Sequence, residues 1–315
     1  MNNPIGGYLE LELRKGEHYH KNAIRLNTAR NCFEYLLRSR SYEKVYIPYY
    51  TCEVMLEPIR KLGIDYEFYH INELLEPTSF LKLNVKEAFL YTNYFGVKQE
   101  CVKRLASEYG EQLIVDNAQA FYAEHLSGVD TFYSVRKFFG VPDGAYLYTE
   151  RFLQQEFAQD CSYERMSHLL KRIDLGAEAG YQDFRMNDDA LCNQEIKKMS
   201  KLTEAILAGI DYVAARNKRR ENYLFLDKAL TETNQIHLEL DDNAVPMVYP
   251  YLTNNVSLKK KLIENKVYVA TYWPNLEYKD SFVTEYNLAL NVIPLPCDQR
   301  YGEKEMERII KLINS

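Results

Sequence analysis

From residue 20 to residue 150, short apolar runs alternate with amphipathic stretches of roughly three helical turns, and this alternation restricts the chain to a few architectures. The runs "KVYIPYY", "IDYEFYHI", "EAFLYTNYFG", "QLIVDNAQA" and "VDTFYSV" read as strands. Between them, "NTARNCFEYLLRSR", "TCEVMLEPIRKLG" and "KQECVKRLASEYG" carry apolar residues at helical spacing. Asn27-Thr28 serves as an N-cap there, and Gly63 and Gly110 as C-terminal stops. Repeated strand–helix–strand units predict a mostly parallel sheet covered by helices on both faces. "DGAYLYTE" reads as a return strand beside "VDTFYSV". In such sheets a ligand lies beyond the carboxyl ends of the strands. The polar tips Asn93, Asp116 and Ser134 to Lys137 all fall at or just after strand ends, so they can converge there.

From about residue 186 to residue 232 the chain lacks proline and mixes charged with apolar residues, which predicts a long amphipathic helix linking domains or lying along a subunit interface. After it, "IHLELDDNAVPMVYPYL", "SLKKKLIENKV", "YVATYWP" and "GEKEMERIIKLINS" read as strand, helix, strand and terminal helix. The expected fold class is therefore α/β. A three-layer α/β/α large domain spans residues 1–215, and a small α+β domain spans residues 216–315.

Charge excludes some functions. The net charge is −6 and dispersed, which points away from nucleic acid and anionic membranes as partners. No stretch approaches the ~20 apolar residues of a membrane span, and the N-terminus lacks the apolar core of a signal peptide. Six scattered cysteines without a CxxC pair read as reduced thiols. A soluble cytoplasmic protein is expected. His18 and His20, two apart in a charged segment, read as exposed polar residues, and no metal site is expected.

The stretch "SVRKFFGVPDGAYLY" places Lys137 after a strand, beside Arg136 and the aromatic Phe138-Phe139. A lysine that forms a Schiff base must be partly neutral near neutral pH, and burial or a neighbouring cation favours that form. A solvated surface charge is the plain alternative. Asp116 follows directly on an apolar strand, where a buried carboxylate needs a cationic partner, though it could equally cap a loop. "LNTARN" opens a helix after a short strand; helix N-termini bind phosphate, and Thr28 could also be an ordinary cap.

In their order, "NTARNCF", "IPYYTCEVMLEPIRKLG", "VDNAQA", "SVRKFFGVPDGA" and "GYQDFRM" resemble the DegT/DnrJ/EryC1/StrS group of fold-type-I pyridoxal-phosphate enzymes, mainly nucleotide-sugar aminotransferases. The resemblance implies an aspartate-aminotransferase-like fold and pyridoxal 5'-phosphate as cofactor. It implies that Lys137 holds the cofactor as a Schiff base and shuttles a proton, and that Asp116 pairs with the pyridinium nitrogen. Gln119 would sit near the cofactor's phenolic oxygen and Asn93 would line the same site. Thr28, Ala29, Arg30 and Ser134 would receive the phosphate. Tyr181 and Arg185 of "GYQDFRM" would reach the neighbouring subunit's site, which implies a homodimer.

The chain departs from that group in places. Cys52 stands where many relatives carry the aromatic ring that stacks on the cofactor, leaving Tyr49 or Tyr50 for that part; "PDGA" stands where "GEGG" is usual. Arg300 offers either a clamp for a substrate carboxylate or a surface ion pair. The expected activity is amine transfer, with glutamate as donor, to a keto-sugar or nucleotide-sugar in surface polysaccharide or related biosynthesis. A pyridoxal-phosphate lyase, an amino-acid aminotransferase and a degenerate, regulatory cofactor-binding protein are the alternatives.

Overall fold

The computed structural model describes residues 5–315. Strands β1 (Ile24–Leu26), β2 (Lys44–Pro48), β3 (Asp65–Tyr69), β4 (Glu87–Thr92), β5 (Leu113–Asp116), β6 (Asp130–Ser134) and β7 (Ala145–Tyr148) form one sheet in the order β1-β7-β6-β5-β4-β2-β3. Every pairing from β6 to β3 is parallel. β7 alone runs against its neighbours, as the short return after β6 requires.

Side-chain alternation along these strands separates two apolar cores. Val45, Ile47, Ala88, Leu90, Ile114, Phe132 and Leu147 join helices α1 (Ala29–Arg40) and α2 (Leu56–Leu62) on one face. Phe89, Tyr91, Leu113, Val115, Tyr133 and Tyr146 join α3 (Gln99–Tyr109) on the other. The caps follow the sequence: Thr28 Oγ1 accepts the Asn31 amide at 3.1 Å, and Gly63 ends α2 at φ 65°.

The segment from 186 to 232 is not one helix. It comprises the end of α5 (Tyr181–Ala190), then α6 (Lys201–Ala208) and α7 (Tyr212–Leu230), after an earlier α4 (Ser167–Asp174). Between α5 and α6 the backbone bonds to the β1 edge instead of to itself. Asn27 donates its amide to the Lys197 carbonyl at 3.0 Å, and Met199 donates to the Arg25 carbonyl at 3.2 Å. Asp143 then accepts from the Ser200 amide at 2.8 Å and the Ser200 hydroxyl at 2.7 Å, fixing the start of α6. A fresh N-cap, Asp211, starts α7 by accepting the Ala214 amide.

The C-terminal part differs in detail from expectation. β8 (Val248–Leu252) pairs antiparallel with β9 (Val292–Pro296), flanked by α8 (Leu258–Glu264), α9 (Val283–Asn291) and α10 (Glu303–Asn314). Residues 236–240 and "YVATYWP" are not strands. β9 contains two prolines, which a two-stranded sheet tolerates because each strand has an open edge. Residue 215 lies inside α7, and α7 packs on α10. No helix among the described residues is long and apolar enough to cross a membrane.

His18 and His20 are buried, contrary to the sequence reading. The segment lies across tyrosines of β6 and β7. His18 Nδ1 is 2.5 Å from the Tyr146 hydroxyl, His20 Nε2 bonds to the Phe121 carbonyl at 2.8 Å, and the His20 ring is 4.1 Å from that of Tyr133. Burial is the main cause that lowers both imidazoles from 6.5 to about 4. The folded state thus excludes a proton that the unfolded chain accepts. Stability from this source is complete above pH 6.5 and is lost as pH falls from 6.5 toward about 4. Denaturant midpoints measured across that window should fall with pH, and His20→Gln should make the fall shallower; an identical slope in the variant would contradict this account.

Candidate active site

Four chain segments meet at the carboxyl ends of β4, β5 and β6. Parallel register sets Thr92 beside Asp116 and Asp116 beside Phe132, so the residues that follow each strand emerge together. β2 and β4 are the neighbours between which the strand order reverses, and Tyr49-Tyr50-Thr51 leaves from β2 at that crevice.

Asp116 is 5% exposed at the end of β5, where Oδ1 accepts the Ala118 amide at 2.8 Å. Burial raises its carboxyl above the usual range, opposed by the charge of Lys137 and by the Ala118 amide. Lys137 is thus the cation that Asp116 feels most. It is exposed and follows β6 in a turn where Phe138 and Phe139 both donate their amides to the Val135 carbonyl, at 3.0 and 2.9 Å. Its Nζ stands 5.8 Å from the centre of the Tyr272 ring.

Gln119 is buried, and its Oε1 accepts the Phe95 amide at 2.8 Å. That bond fixes the side chain and leaves Nε2 buried without a partner. The Tyr50 hydroxyl is likewise buried and unpartnered. A buried donor without an acceptor is costly in a protein interior, and a ligand oxygen would relieve it. Gly96 sits against this loop at φ +77°; a Cβ there would lie 2.7 Å from the Val245 carbonyl oxygen.

The N-terminus of α1 is tied to the Lys137 turn. Gly144 donates its amide to the Asn27 carbonyl at 2.6 Å; it sits at φ +113°, and a Cβ there would also meet Val135 and Thr203. The first amides of a helix, here those of Ala29 and Arg30, have no acceptor within it. The Arg30 guanidinium does not extend this cradle; it is paired with Glu57 at 2.8 Å. Ser134 closes β6, half-buried, opposite Ala145.

Other expected residues are placed differently. Asn93 is buried, but its amide donates to Gln99 Oε1 and its Oδ1 accepts the Lys98 amide, so it shapes its own loop. Tyr50 packs edge-on to Trp273 at 4.7 Å, whereas Tyr49 stacks on Phe282 at 4.1 Å. Arg300 holds Asp298 with two bonds, at 2.7 and 2.8 Å, which is the ion-pair alternative. Tyr181 and Arg185 are exposed on α5. Tyr181 lines a cavity of about 520 Å³ together with Lys137, Arg136, His168 and Arg172. Tyr272 was not singled out by sequence reasoning; its only signal was adjacency to the lone Trp273.

No family model matches the chain, and no curated protein matches it. Solved structures share its fold. An aminotransferase of the DegT/DnrJ/EryC1/StrS type from Brucella abortus aligns over 93% of this chain and 85% of its own, with 14% identity and a TM-score of 0.61. The sugar aminotransferase CalS13 from Micromonospora echinospora aligns over 92% and 86%, with 14% identity and a TM-score of 0.60. Spr1654 from Streptococcus pneumoniae, in its PLP form, aligns over 92% and 85%, with 13% identity and a TM-score of 0.62. The fold is that of these aminotransferases.

Asp116→Asn tests whether the carboxylate is there for stability. The buried carboxylate is unfavourable when ionised, and the isosteric amide can still accept from Ala118. The thermal midpoint of the variant should equal or exceed that of the parent. A clearly lower midpoint would make Asp116 a residue that holds the fold together.

Proposed function

We propose that the chain is a pyridoxal-phosphate-dependent aminotransferase whose acceptor is a keto-sugar. The observation that carries this reading is the buried Asp116 at the end of β5, paired in register with β6, which leads into the Lys137 turn, together with the unpartnered Nε2 of Gln119. This donor and acceptor set fits the cofactor: a carboxylate for a cationic ring nitrogen, an amide for a ring oxygen, and helix amides for a phosphate. When bound, pyridoxal phosphate supplies an electron sink conjugated to the amino nitrogen of the substrate.

The chain's own residues do the rest. The α1 N-terminus and Ser134 would receive the phosphate end, and Asp116 would pair with the ring nitrogen. Lys137 would hold the cofactor through its Nζ, and the same amine, when free, would take a proton from the substrate carbon next to the amino nitrogen and return it within the same half-reaction. Gln119, held by the Phe95 amide, would offer its free Nε2 to a ring oxygen. Tyr272, beside Lys137, and Trp273, beside Tyr50, would border the site on the side of the C-terminal part.

A sugar acceptor is favoured by the fold shared with CalS13, a sugar aminotransferase. A homodimer is favoured by the α4–α5 hairpin, which exposes Leu170, Ile173, Leu175, Tyr181, Phe184 and Met186 together. Tyr181 and Arg185 on that hairpin would then face the partner copy.

The half-reaction tests this reading. Protein loaded with pyridoxal phosphate and mixed with L-glutamate should lose its visible band and release one equivalent of 2-oxoglutarate. A keto-sugar added next should restore the band. Loss of the band without any 2-oxoglutarate would overturn amine transfer from glutamate; no change with a panel of amino acids would overturn the aminotransferase reading itself.

A further inference from the structure

Arg219, on α7, is among the largest fully buried side chains of the protein, at 1% exposure. No carboxylate among the described residues lies within ion-pair distance of it; the acceptors it does have are all uncharged. Nε donates to Gln299 Oε1 at 2.7 Å, and Nη1 donates to the carbonyls of Pro246 and Met247 at 3.2 and 3.1 Å. Nη2 donates to the carbonyl of Phe138 at 3.3 Å. The guanidinium also lies over the Phe138 ring, 4.4 Å from its centre. Burial is the largest influence on this group and lowers its proton affinity, against the opposing pull of Cys297 and Asp298. Keeping a charge in such a place is costly unless the bonds it makes hold something specific.

What they hold is the residue next to Lys137. Gln299 Nε2 donates to the same Phe138 carbonyl at 2.8 Å while its Oε1 accepts from Arg219. Arg219, Gln299 and Phe138 therefore close a three-membered ring of hydrogen bonds. On the other side of its Cα, the Phe138 amide donates to the Val135 carbonyl. Both polar backbone groups of Phe138 and its ring are thus fixed, and the direction in which Lys137 leaves the backbone is fixed with them.

We propose that Arg219 is the positioning residue of Lys137: with Gln299 it clamps Phe138 and aims the lysine at the site beside Asp116, so that the C-terminal part of the chain sets the geometry of the attachment point. The functional side of this inference rests on the aminotransferase reading; the clamp itself does not. A guanidinium suits the task because its planar fork serves three segments at once, which an ammonium on a flexible stem cannot do.

Two variants test it, Arg219→Lys and Gln299→Ala. Gln299 is half-buried and uncharged, so its replacement removes no buried charge and keeps the test open where Arg219→Lys does not fold. Hydrogen exchange at the amides of Phe138 and Phe139 should rise at least tenfold in Gln299→Ala, with exchange in β4, β5 and β6 unchanged. The rate at which added pyridoxal phosphate forms a borohydride-reducible adduct at Lys137 should fall about tenfold in the same protein. Arg219→Lys should give the same two changes wherever it folds. Unchanged exchange at 138 and 139 would overturn the clamp. Faster exchange with an unchanged adduct rate would overturn its role in aiming Lys137. If the parent protein formed no adduct, the aminotransferase reading alone would fall, and the exchange measurement would still decide the clamp.

Discussion

The site depends on one buried carboxylate. Asp116 ends the central strand β5, where desolvation raises its carboxyl and Lys137 supplies the strongest opposing charge. A fold that gained only stability from this position would place an apolar residue there, because unsolvated charge costs more than it returns. Parallel register is what makes the placement useful. It brings the ends of β4, β5 and β6 level, so that Asp116, the Gln119 loop and the Lys137 turn face one space.

The framework around that space was legible in the sequence because its causes are local. Five apolar runs, the Thr28 cap and the stops at Gly63 and Gly110 are set by neighbours within a few residues, and all reappear as β2 to β6, α1, α2 and α3. The breaks in the 186–232 segment have distant causes. Lys197 and Met199 bond to β1, and Ser200 bonds to Asp143, partners more than fifty residues away in sequence. His18 and His20 were misread for the same reason: their surroundings are Tyr146, Tyr133 and Phe121, which only the folded chain brings near. Within the site, Lys137, Asp116 and Gln119 came from motif order and the structure gathers them. The engagement of Arg30 with Glu57, and of Asn93 with its own loop, could not be read from spacing.

The C-terminal part is more than a cover. Its segment through Tyr272 and Trp273 reaches Lys137 and Tyr50, and Arg219 with Gln299 fixes the residue beside the lysine. Sequence patterning is weakest here because these contacts come from irregular chain and from a single buried arginine inside a helix whose other basic residues read as its solvated face. The surroundings of Lys137 therefore come from both parts: the sheet supplies the carboxylate and the turn, and the C-terminal part supplies the hydrogen bonds that hold Phe138.

The most direct test is the location of the covalent label. Protein incubated with pyridoxal phosphate, reduced with borohydride and digested should carry the pyridoxyl mass on the peptide containing Lys137, in near-stoichiometric yield, and Lys137→Ala should carry none above background. A label spread over exposed lysines, or one undiminished in Lys137→Ala, would contradict the account.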